Sequence, residues 1–98
     1  NFIIFYGSQS LKKASLLIET LNLFKNAELN KIIEAEYINE RRWNIILSND
    51  IILYLSEKDI EVSLRNYIKL IEKLNVSKIK SIKSIDLRNN EKAIINLK

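Results

Sequence analysis

Arg41-Arg42-Trp43-Asn44-Ile45-Ile46-Leu47-Ser48-Asn49-Asp50-Ile51-Ile52-Leu53-Tyr54-Leu55-Ser56-Glu57-Lys58-Asp59 reads as a strand, a tight turn, a second strand and the start of a helix. Trp43, Ile45 and Leu47 alternate with other residues before the turn, and Ile51, Leu53 and Leu55 do so after it, the period-2 pattern of strands. A two-residue Asn49-Asp50 loop would pair Ser48 with Ile51 and put the two apolar triplets on opposite faces. A loop of Ser48, Asn49 and Asp50 pairs Leu47 with Ile51 instead, so all six side chains share one face. That loop ends in a left-handed residue, which Asp tolerates better than most residues, though less well than Gly.

Downstream, Ser56 and Asp59 have capping-box spacing, with Ser56 expected at the cap and Asp59 reaching back to it. Ile60, Leu64, Tyr67, Ile68, Ile71 and Leu74 then recur at helical spacing, and Glu61 with Arg65 adds an i,i+4 pair. This amphipathic helix is expected to lie across the apolar face of the sheet. The Lys/Ile alternation from Ser77 to Lys83 reads as the approach to a half-exposed strand. Lys83 to Arg88 is that strand, Asn89-Asn90-Glu91-Lys92 a turn, and Ala93 to Leu97 a last strand.

Upstream, Phe2 to Tyr6 is a short apolar run, expected as a buried strand. Gly7, the only glycine, follows it where a chain reversing into a helix needs positive φ. Ser10 is the expected N-cap of a helix from Leu11 to Lys25, with Leu17, Ile18, Leu21 and Phe24 in one stripe with Ala14. Asn26 is expected to end it in a left-handed conformation. Ala27 to Ile32 reads as a further helical turn and Glu34 to Ile38 as a strand. The fold class is α+β: a mixed, largely antiparallel sheet with two main helices packed mostly on one face. Tyr37 and Trp43 are expected to pack in the core or on a sheet face.

The 98 residues form one domain, residues 1–98, large enough to hold a core without disulfides. No apolar run reaches the roughly 18–20 residues that span a bilayer. Opening on Asn1 without Met, inside an apolar run, the sequence reads as part of a longer protein. The net charge of +4 is modest and reads as a solvated surface.

Catalytic chemistry is poorly supplied. There is no His and no Cys, so imidazole bases and thiolate nucleophiles or ligands are excluded. One glycine excludes a phosphate-binding glycine loop. Glu34 with Glu36, and Glu57 with Asp59, have bland explanations in exposed strand positions and helix capping. No enzyme activity and no cofactor are expected. Lys78, Lys80, Lys83, Arg41 and Arg42 could form a basic patch, but without interleaved aromatics, so nucleic acid is not an expected partner.

The physical case for a binding module rests on the last strand. An edge strand presents unpaired N–H and C=O groups to which another chain can add. Ala93-Ile94-Ile95-Asn96-Leu97 is apolar, with only Lys92 and Lys98 as flanking charges.

The Arg-Arg-Trp strand, its Asn-containing turn, the acidic helix start and Ile85-Asp86-Leu87-Arg88 together resemble the C-terminal extracytoplasmic domain of the FtsQ/DivIB family of bacterial cell-division proteins. The apolar strand followed by Gly7 is similar too. The resemblance implies a non-catalytic divisome scaffold that binds FtsB and FtsL, FtsB by strand addition at the last strand. It also implies a single-pass inner-membrane protein, with a transmembrane helix and a POTRA domain upstream of this domain on the periplasmic side. Carried over position by position, Arg88, Asn89 and Glu91 would begin the interface, Ile95 and Leu97 would run along it, and Arg41 would contribute from a second region. Where the family can carry Tyr after that Arg and Trp near the strand end, this chain has Asn89 and Leu97. The alternative readings are a POTRA-like binding or chaperone module with other partners, and a basic nucleic-acid-binding domain.

Overall fold

The computed structural model describes residues 2–98. Strands β1 (Ile4–Tyr6), β2 (Ile32–Ile38), β3 (Arg42–Leu47), β4 (Ile52–Leu55), β5 (Ile82–Leu87) and β6 (Ile94–Leu97) form one sheet in sequence order. Helix α1 (Ser10–Phe24) and a 3-10 helix (Ala27–Lys31) join β1 to β2, and α2 (Ile60–Glu72) and α3 (Val76–Lys80) join β4 to β5. The pairs β1–β2 and β4–β5 are parallel, and the other three are antiparallel.

This topology explains why the helices share a face. Parallel neighbours need a crossover, and crossovers are right-handed. Both crossovers here join strands of the same direction and step the same way across the sheet, so both helical segments land on one side. Accordingly α1 packs on β1 and α2, while α2 packs on β4 and β5. The α+β architecture expected from the periodicity is present, with α3 added.

The central hairpin has the three-residue loop. Leu47 N donates to Ile51 O at 2.9 Å, Asp50 N to Leu47 O at 2.9 Å, and Asp50 adopts φ 70. Trp43, Ile45, Leu47, Ile51, Leu53 and Leu55 are all buried on the face that receives Leu17, Leu64, Tyr67 and Ile71. Phe5 meets Trp43 edge-on with centroids 5.8 Å apart, and Tyr37 tilts against it at 4.9 Å, so both aromatics assigned to packing are core. Gly7 has φ 101, and a Cβ there would sit inside contact distance of the Tyr37 carbonyl oxygen. The one glycine is required twice over, by its dihedral and by close approach.

Local capping differs from expectation at three places. Helix α1 begins at Ser10 itself, after Gln9 at φ 69 with no side-chain cap; Ser10 is buried, its N–H bonded to Gly7 O at 3.2 Å. The turn imposed by Gly7 starts this helix, and the serine is drawn inside. Lys25, not Asn26, takes the left-handed C-cap, because Asn26 Oδ1 caps the next helical turn by accepting from Glu28 N at 2.8 Å. At α2 the cap is Asp59, accepting from Val62 N at 3.1 Å, while Ser56 Oγ accepts from Lys58 N and Asp59 N one step earlier. A carboxylate is the stronger acceptor beside the helix N-terminus. Ile18, placed on the core stripe, is instead exposed.

The expected strand approach at Ser77–Lys83 is also corrected. Asn75 Oδ1 accepts from Lys78 N at 2.7 Å and starts α3, so Lys78 and Lys80 are helical, while the strand expected from Lys83 begins at Ile82. An Asn cap outweighs a short alternation.

Candidate functional site

Strand β6 is a sheet edge, with β5 on one side and no strand among the described residues on the other. It is four residues long. Ile94 and Leu97 are exposed, at 47% and 56%, while Ile95 is half-buried against the core. The side chain of Ile95 therefore supports the strand from beneath, and the surface along the edge comes from its neighbours and the backbone. Asn96 Nδ2 donates to the buried Ser84 Oγ at 3.0 Å, and Lys98 N to Ser81 O at 2.9 Å, which hold β6 along its length.

The turn before β6 carries the other candidates. Arg88 Nε and Nη2 donate to Asp86 Oδ1 and Oδ2 at 2.9 and 2.6 Å, a bidentate pair, and Arg88 N donates to Asp86 Oδ1 at 3.0 Å. The guanidinium also lies over the Tyr54 ring, 5.6 Å from its centroid. The side chain of Asn89 is used locally: its Oδ1 accepts from Glu91 N at 2.8 Å. Glu91 is exposed beyond it.

The register shows which residues join them. Asn44 pairs with Tyr54 and Tyr54 with Asp86, so Arg42, two residues before Asn44, lies on the same helix-free face and at the same end as Arg88. Arg42 Nε and Asn44 Oδ1 are buried there with no hydrogen-bond partner. Arg41 lies instead in the β2–β3 turn, exposed, with only a long 3.9 Å approach to Glu57. Arg42, Asn44, Tyr54 and Asp86 were missed as site residues. The usable signal was their even spacing against the core triplets, which puts them together on the opposite face.

That register also divides the basic residues. Ser84 sits opposite Ile52, at the far end of β5 from Arg88. Lys83 and Arg88 are five positions apart along an extended chain, about 16 Å. With α3 preceding β5, Lys78 and Lys80 belong to the Lys83 end, and the single basic patch considered from sequence is not assembled.

The Arg88 guanidinium holds the Asp86 carboxyl below the usual carboxylate range, chiefly by side-chain hydrogen bonding, and the Arg42 charge adds to this. A depressed carboxyl pKa contributes stability above its unfolded value, about 3.9, and loses it as pH falls through the folded value. Asp86→Asn is therefore expected to lower the urea midpoint slightly at pH 5–8, with the difference from the parent vanishing in more acid solution. Urea titrations of both chains across pH check this. A difference that persists unchanged below both values would show that the pair is not its source.

Among the described residues, no three acidic side chains gather to hold a metal ion, and no helix is long and apolar enough to cross a membrane.

A family model described as cell division protein FtsQ/DivIB, C-terminal, matches residues 1–88. The chain is 35% identical over 82 residues to proteins named cell division protein FtsQ from Rickettsia prowazekii (strain Madrid E) and Rickettsia typhi (strain ATCC VR-144 / Wilmington). Each match covers 84% of this chain and 30% of the relative, so the matched part is under a third of those proteins' length. Arg41, Arg42 and Arg88 fall inside the matched family segment, whereas Asn89, Glu91, Ile95 and Leu97 lie beyond it.

Proposed function

The chain belongs to the FtsQ/DivIB C-terminal family, and from that premise we propose that it is a non-catalytic docking domain of the bacterial division machinery. It takes up a segment of an FtsB-type partner, with FtsL in the same assembly, by strand addition along β6. The observation that carries this reading is the unpaired outer side of β6 beside the Arg88 turn. Backbone pairing along that side supplies affinity, and the side chains of the turn supply register. Arg88, pre-oriented by Asp86 and Tyr54, stands at the start of the rail, with Asn89 and Glu91 next to it. Ile95 supports the rail from the core, Leu97 lies exposed at its far end, and Arg41 offers a contact from the neighbouring turn.

In the intact protein this domain is proposed to follow a transmembrane helix and a POTRA domain and to work on the periplasmic side of the inner membrane. Isothermal titration of the chain with a peptide carrying the strand-forming segment of the FtsB homologue from the same genome tests the docking. A saturable one-to-one complex is expected, with backbone amide shifts concentrated on β6. Absence of binding at millimolar peptide, or shifts centred on β1, would overturn the reading.

A further inference from the structure

The β5–β6 hairpin that carries the proposed docking rail is held along its strands, but its turn has few bonds of its own. Within its turn the described bonds are Lys92 N to Asn89 O at 3.3 Å and Glu91 N to Asn89 Oδ1 at 2.8 Å. Two side chains on one face of α2 reach this segment from outside. Ser63 is fully buried; its Oγ donates to Leu87 O at 3.0 Å and accepts from Ser56 N at 2.8 Å. One turn further along, Asn66 Nδ2 donates to Asn90 O at 2.9 Å. Ser63 thus ties the ends of β4 and β5 to the helix, and Asn66 ties the turn.

We propose that α2 positions the partner-facing turn through these two side chains, with Asn66 a positioning residue for docking at β6. This rests on the docking reading above. Arg88 lies between the two tethered carbonyls, those of Leu87 and Asn90, so fixing both sets where its backbone leaves the sheet. The start of β6 is set by the same constraint. A turn held before the partner arrives spares the ordering cost that binding would otherwise carry.

Ser63→Ala would leave Leu87 O and Ser56 N buried without partners and can unfold the chain, so the test uses the more exposed Asn66. Asn66→Asp keeps shape but replaces the donor with an acceptor facing a carbonyl, and Asn66→Gln keeps an amide donor on a longer stem. Two readouts are taken on the chain: 15N order parameters of residues 89–92 without partner, and Kd for the FtsB-type peptide. Asn66→Asp is expected to lower the order parameters from the rigid range near about 0.85 toward about 0.6. It is also expected to weaken Kd roughly five-fold, as for loss of one modest hydrogen bond, with the urea midpoint unchanged. Asn66→Gln is expected to bring both readouts most of the way back. Unchanged order parameters, or a loosened turn with unchanged Kd, would overturn the proposal. A parent chain that does not bind the peptide at all would overturn the docking reading, and the order parameters would then decide the tether on their own.

Discussion

Of two proline variants, Ile95→Pro and Asn96→Pro, one is expected to abolish partner capture in a folded domain and the other to break the β5–β6 pair. Along an edge strand, successive residues turn their N–H and C=O groups alternately toward the paired neighbour and away from it. Ile95 pairs with Ile85, and Asn96 with Ser84, so the two adjacent residues sample the two directions. Proline removes the N–H and blocks the strand side it faces. On the open side it removes one partner hydrogen bond and obstructs its neighbours; two or three bonds lost at roughly 1 kcal/mol each make about a 30- to 160-fold loss in Kd. On the β5 side it costs the domain a ladder bond. Peptide capture with circular dichroism separates the two. Two folded variants that both capture the peptide would eliminate strand addition at β6. A charge at Ile95 is a poorer probe than the sequence suggests, because that side chain rests on the core; exposed Leu97 is the better site for one.

Trp43→Ala is expected to produce the largest loss of stability. Trp43 is 2% exposed and is the shared contact of Phe5 on β1 and Tyr37 on β2. Truncating a buried Trp to Ala costs about 3–5 kcal/mol, and domains of this size hold about 5–15 kcal/mol in all. Each kcal/mol shifts Tm by roughly 4–8 °C, so the melting point is expected to fall by at least about 12 °C. Thermal unfolding followed by far-ultraviolet circular dichroism measures it. A change of only a degree or two, with partner capture lost, would move Trp43 from the core to the interface.

The strand-turn-strand centre was legible because its constraint is internal. Six apolar side chains must share one face, and of a two- and a three-residue loop only the latter allows it, in line with the bond from Leu47 N to Ile51 O. Gly7 was legible for the same kind of reason. The caps were not: the Gly7 turn starts α1 without a Ser10 cap, Asn26 is taken by the next helical turn, and Asp59 caps α2 three residues after Ser56, so the choice depends on how the chain arrives. Asn75 likewise overrode the Lys/Ile alternation that followed it. The candidate edge was visible as a final apolar strand, but the residues around Arg88 were not. Arg42, Asn44 and Tyr54 come from two other strands and meet Arg88 only through register, whereas the pairing of Asp86 with Arg88 follows from their i, i+2 spacing on one strand.

The linear order of residues by itself determined the α+β class and the helix-bearing face, because periodicity and local turn chemistry act over a few neighbouring positions. Tertiary structure alone decided that β6 lies at the rim, that Arg42 and Arg88 share one end of the open face, and that α2 reaches the β5–β6 turn. Those depend on which strands pair and in what alignment. The pairing energy is spread over contacts far apart in the chain, and no short window of sequence contains them.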